Sequence, residues 1–275
     1  MAASRKAASV GLMSSVSGQI PSPAKSAFAP HRSTMSEKNS TNMEGFAAPL
    51  SSLLFLSQAL RRIREPMNTL THGAGAVLSV IGLILLIRTA IDPLRGWHLV
   101  SYTIYGAAMV MVYTASTVFH GLNISEQVFI RLRKIDHIMI FIFMAGSYAP
   151  FCFVPFRGTF GWLLFTGIWA IAFCGIIFKI YWIHAPKWLC LMIYVCASCF
   201  AFVATGPILT ILQPGAIFWL ITGGILYAIG AVFYAMEDPE AAHGLFGCHE
   251  IFHILVMLGT GAHFWVVYWY VNQFS

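Results

Sequence analysis

The strongest constraint on this chain recurs along most of its length. After residue 66, stretch follows stretch of about 20 apolar residues with few charges. Seven such segments stand at about 70–90, 99–120, 135–154, 160–181, 188–206, 215–235 and 248–271. A helix of about 20 apolar residues spans the hydrocarbon layer of a bilayer. Across the whole chain, 58% of residues are hydrophobic and 9% charged, whereas soluble domains carry roughly 25% charged residues. The connections are short and carry turn chemistry: Asp92-Pro93, Arg157-Gly158, Ala185-Pro186, Gly206-Pro207, Pro214-Gly215 and Asp238-Pro239. Short connections make neighbouring helices antiparallel. The expected fold is therefore an all-α membrane protein, a bundle of seven transmembrane helices within residues 65–275, with no internal repeat.

Basic residues set the expected orientation. Arg61, Arg62, Arg64, Arg131, Arg133, Lys134, Lys179 and Lys187 fall on one side, and only Arg88, Arg95 and Arg157 on the other. The positive-inside rule then places the N-terminus in the cytoplasm and the C-terminus outside. The same asymmetry accounts for the net charge of +6, so nucleic acid is not an expected partner; the lipid bilayer is. Tyr and Trp gather near segment ends, as at Trp265, Tyr268, Trp269 and Tyr270, in the manner of an aromatic belt. The six cysteines lie mostly in apolar runs and read as small packed side chains. The C-x-x-C spacing of Cys196 and Cys199 has no second pair to support a metal or redox role.

Residues 1–45 are rich in Ser, Ala and Pro and contain no acidic residue before Glu37. Such a tail cannot bury enough apolar surface to fold and is expected to be disordered. Its composition also allows an organelle transit peptide, and Met35 allows a later translation start. The cell membrane is the expected location, with an organelle membrane the alternative if the tail is a targeting segment. Residues 46–64 have helical apolar spacing and end in Arg61, Arg62 and Arg64, which suits an amphipathic helix lying at the membrane interface.

Against this apolar background the ionisable residues stand out, because such groups in a membrane mostly face a bundle interior or a water-filled cavity. Cys248-His249-Glu250-Ile251-Phe252-His253 opens the last segment and puts two imidazoles on one helical face. His120 ends the second segment, Ser116 lies one turn before it, and Asp136 opens the third. Glu65 and His72 flank the start of the first. Under the expected topology all of these fall at the cytoplasmic level. Three imidazoles and a carboxylate meeting there would suit zinc, which takes tetrahedral nitrogen and oxygen donors and in catalytic sites keeps three protein ligands. The expected metal ligands are His120, His249 and His253. His98, His137, His184, His243 and His263 receive no role. His249-Glu250-Ile251-Phe252-His253 also matches the short His-Glu-x-x-His pattern of zinc proteases, in which the Glu is a general base. A membrane metalloprotease is therefore one alternative.

Glu65-Pro66-Met67-Asn68-Thr69-Leu70-Thr71-His72, Ser116-Thr117-Val118-Phe119-His120, Lys134-Ile135-Asp136-His137 and His249-Glu250-Ile251-Phe252-His253 resemble the signature blocks of hemolysin III proteins. These belong to the progestin and adipoQ receptor superfamily, with adiponectin receptors, and are more distantly similar to alkaline ceramidases. The resemblance covers about residues 63–272. It implies seven membrane helices and a zinc near the cytoplasmic face held by His120, His249 and His253. Asp136 would hold the zinc-bound water, with Ser116 a nearby polar group. Glu250 departs from the amide often present in receptor members and leaves the role of that position open.

The leading expectation is a zinc-dependent hydrolase acting on a ceramide-like lipid amide. Asp136 would serve as general base and Ser116 as a hydrogen-bond donor to the developing oxyanion. Besides the protease, the alternatives are a receptor or regulatory protein with structural zinc, and a cytolytic, pore-forming protein.

Overall fold

The computed structural model describes residues 63–237 and 247–275. The tail 1–45, nearly all of the interfacial helix expected over 46–64, Asp238-Pro239 and His243 lie outside the described residues. Within them the chain is helical, and seven stretches are long and apolar enough to cross a membrane. The first is α1 (Pro66–Ile91) and the second α2 (Gly96–Gly121). The third combines α3 (Glu126–Ser147) with the short α4 (Ala149–Phe153), and the fourth is α5 (Thr159–Tyr181). The fifth runs through α6 (Lys187–Ser198), a 3₁₀ stretch Cys199–Ala204 and α7 (Thr205–Ile211). The sixth is α8 (Pro214–Met236). The seventh is α9 (Cys248–Trp265), continued by a π turn Val266–Tyr270 and a 3₁₀ turn Val271–Gln273.

Pro66 opens the first span and occupies the first turn of α1, where its missing N–H would have had no intrahelical partner anyway. Two other helix boundaries differ from expectation. Gly206-Pro207 does not end the fifth span. Pro207 falls in the first turn of α7 for the same reason, and the tightened Cys199–Ala204 stretch joins the two helical pieces. The third span starts at Glu126, well before residue 135, and is interrupted at Tyr148 where Pro150 cannot donate to the ladder.

Helix α1 packs on α2, α2 on α3, α3 on α5, and α9 on both α8 and α1, which brings the last helix back against the first. The core between them is aromatic and aliphatic: Leu86, Tyr102, Tyr105, Met109, Tyr113, Val266, Val267 and Val271 are all buried. Outward faces carry Leu70, Leu163, Phe202, Phe218 and Ile221, all strongly exposed. In water this would be untenable, whereas in lipid those side chains meet their own kind and the helices satisfy their backbone groups internally. The protein is an integral, multi-pass membrane protein. Close packing uses small residues: a Cβ on Gly161 would collide with the backbone carbonyls of Cys152 and Phe156. Gly158, at φ 132°, makes the turn that feeds α5.

Candidate metal centre

One end of this bundle gathers the start of α1, the end of α2, the early turns of α3 and the start of α9. The packing of α1 against α2 and α9, and of α2 against α3, brings side chains from all four together. His120 projects from the last turn of α2, and His249 and His253 from the first two turns of α9. One nitrogen from each of these three imidazoles lies within 4.8 Å of the others. Ring centroids are 5.1 Å apart for His120 and His249, 5.0 Å for His120 and His253, and 4.5 Å for His249 and His253. A tetrahedral ion with bonds of about 2.0–2.1 Å needs donors roughly 3.4 Å apart.

Two carboxylates stand behind the imidazoles. Glu65 Oε2 is in very short contact with His120 Nδ1 and accepts a hydrogen bond from Asn68 Nδ2 at 3.0 Å, while Arg64 pairs with Oε1 at 2.9 Å. Burial raises the Glu65 pKa, but the hydrogen bonds and charges of His120, Asn68 and Arg64 outweigh it and leave it at about 2. An ionised carboxylate can only accept, so His120 donates from Nδ1 and keeps Nε2 as its lone-pair nitrogen. On the other side, Glu237 Oε1 lies 3.0 Å from His249 Nδ1. Burial likewise raises the Glu237 pKa, and His249 and Lys187 bring it down to about 2. Both ring nitrogens of His249 are buried without a hydrogen-bond partner, as is His253 Nδ1. Unpartnered ring nitrogens, with carboxylates beside two of the three imidazoles, match what a metal-binding site requires. The three histidines could hold a metal ion, and the donor set suits zinc.

Asp136 and Ser116 line the same space. Asp136 lies ten residues into α3, and is buried, with Ser116, His120 and His249 as its polar neighbours. Ser116 Oγ makes a 2.6 Å hydrogen bond with His72 Nδ1. His72 stacks on His253, with centroids 3.5 Å apart and planes 13° from parallel, and its Nε2 is buried without a partner. Sequence reasoning saw His72 only as a residue flanking the first span. It sits inside α1 and forms one wall of the site. Glu237, just past the sixth span, stands beside His249, a placement for which the chain carries no signal. Glu250 points back to its own helix terminus, where Oε2 accepts from the Gly247 N–H at 2.8 Å. His98, His184 and His263 lie apart from the cluster; His263 Nε2 meets the Leu220 carbonyl at 3.2 Å.

Residues 60–264 match the model of a family described as Haemolysin-III related. The chain belongs to that family. The haemolysin-III chain is 34% identical over 206 residues to the hemolysin-3 homolog of Bacillus subtilis (strain 168), covering 75% of this chain and 93% of the relative. It is 35% identical over 207 residues to hemolysin-3 of Bacillus cereus, covering 75% and 91%. The human monocyte to macrophage differentiation factor is 25% identical over 215 residues, covering 75% and 84%. All four blocks named above, from Glu65 to His253, fall within the matched haemolysin-III region.

Proposed function

We propose that this haemolysin-III protein is a zinc-dependent hydrolase of a lipid amide, with His120, His249 and His253 as the ligands. The observation that supports it is the meeting of three imidazoles with buried Asp136 and Ser116 at one end of the bundle. When bound, zinc supplies Lewis acidity and a nucleophile at neutral pH. Asp136, buried beside Ser116, His120 and His249, would take a proton and later return it to a leaving amine. The Ser116 hydroxyl, oriented by its 2.6 Å bond with His72, can donate to a carbonyl oxygen as charge develops there. On this reading an apolar space among the helices, reached from the lipid, would hold the acyl chain. A ceramide-like lipid meets these requirements. Glu250, engaged with Gly247, is turned to capping rather than to the imidazoles, which weighs against protease chemistry.

The test pairs metal analysis with a lipid-amide hydrolysis assay. Asp136→Asn is expected to retain zinc and lose turnover by at least about a hundredfold. Hydrolysis at the wild-type rate in that variant would rule out the mechanism. The enclosure of the site, with His120 and His253 at 3% and 2% exposure, favours one second reading, a structural zinc in a receptor or regulatory protein. On that reading, zinc-loaded wild type shows no hydrolysis that a chelator abolishes, while His253→Ala lowers thermal stability.

A further inference from the structure

Lys179, near the end of α5, is buried to 1% exposure, deeper than any other lysine or arginine among the described residues. Its Nζ donates to Cys190 Sγ at 2.9 Å, and the rings of Phe178 and Tyr194 stand 5.8 and 5.6 Å away. No carboxylate among the described residues pairs with it. A thiol is a weak acceptor, and an ammonium held in apolar surroundings is costly without a counter-charge.

The same side chain borders a cavity of about 270 Å³ shared with Arg133, His137, Lys187, Tyr234 and Glu237. Since one water needs only about 10–15 Å³ of such space, a tetrahedral ion fits easily. Arg133 makes no ion pair among the described residues, and His137 Nδ1 is buried without a hydrogen-bond partner. The one acid on the wall, Glu237, is already engaged: Oε2 with Lys187 Nζ at 2.7 Å and Oε1 with His249. Two cations are therefore left uncompensated around a space rimmed by unused donors. Lys187 and Glu237 are partly exposed and lie at the ends of the fifth and sixth spans, so the cavity borders the surface at the ends of these helices, the level that headgroups would occupy around the spans.

We propose that this cavity is a second binding site, separate from the imidazole cluster, for a phosphate-type oxyanion. The group is carried either on an acidic phospholipid or as the free ion. Arg133 supplies the planar fork that recognises phosphate, Lys179 a point charge from beneath, and His137 a further ring donor.

The experiment melts full-length, zinc-loaded protein in two arms at constant ionic strength. One arm titrates inorganic phosphate into phosphatidylcholine nanodiscs. The other replaces part of the phosphatidylcholine with phosphatidic acid and contains no free phosphate. A saturable rise in the thermal midpoint is expected in at least one arm, and the arm that responds identifies the source. Arg133→Gln and Lys179→Met are each expected to raise the half-saturating concentration about tenfold or more without changing the zinc content. Arg133 is only half-buried, so its variant keeps the test valid if Lys179→Met fails to fold. A flat response in both arms overturns the proposal. So does a response that Arg133→Gln leaves unchanged, because it places the anion elsewhere, the zinc included.

Discussion

Glu65 and Glu237 reach the imidazoles from opposite sides, one just before the first span and the other just after the sixth. Neither supplies a donor to the proposed metal; Glu65 fixes which nitrogen of His120 is free, and Glu237 stands 3.0 Å from His249 Nδ1. Glu65→Ala is expected to weaken zinc binding by about 10–100-fold while His120 itself is retained, measured by competition with a chromophoric chelator. His72→Ala removes the ring that covers His253 and orients Ser116. It is expected to weaken zinc binding more modestly and to reduce turnover by more than the metal loss explains. At this scale the chain was partly legible. His120, His249 and His253 stood out because imidazoles are conspicuous in apolar segments and two of them share an i, i+4 face. The supporting carboxylates were hidden, since an acid at a segment end looks like any loop residue until folding brings a distant helix beside it.

Helix existence and order followed from hydropathy, because the bilayer leaves a long apolar stretch few alternatives. Where each helix begins, bends or resumes depended on finer chemistry. Proline in a first turn is compatible with a helix, so Pro66 marks the start of the first span, whereas Pro207 is a poor marker of a break. The opposite case is Pro150, which interrupts the third span inside an uninterrupted apolar run. Small residues at contacts were equally silent in the hydropathy pattern. Gly161→Ala is expected to lower stability by about 1–3 kcal/mol, because the new methyl group meets backbone carbonyls that cannot step aside. Gly224→Ala, where nothing lies within 4 Å, is the matched control and should melt at or above the wild-type temperature. Both are read from thermal melts in the same detergent.

At the scale of the molecule, the proposed zinc joins the second span to the seventh, far apart in the chain, and so should contribute to the stability of the whole bundle. Ligand at a thousand times its dissociation constant stabilises by about 4 kcal/mol, so strong chelation is expected to lower the melting temperature measurably. The end that carries the cluster also carries Arg133, Lys134, Lys179 and Lys187, and we propose that it faces the cytoplasm. With an impermeant maleimide on intact cells, Arg157→Cys should label directly and Ser125→Cys only after permeabilisation. Glu237 has a consequence of its own at this scale. It holds Lys187 with one oxygen and faces His249 with the other, and one carboxylate cannot move toward both. Anything that draws Lys187 away lets Glu237 settle on His249, and anything that recruits His249 alters its hold on Lys187. If the two proposed sites are filled, such influence is mutual by thermodynamic necessity, and each is expected to report on the other's occupancy through this residue.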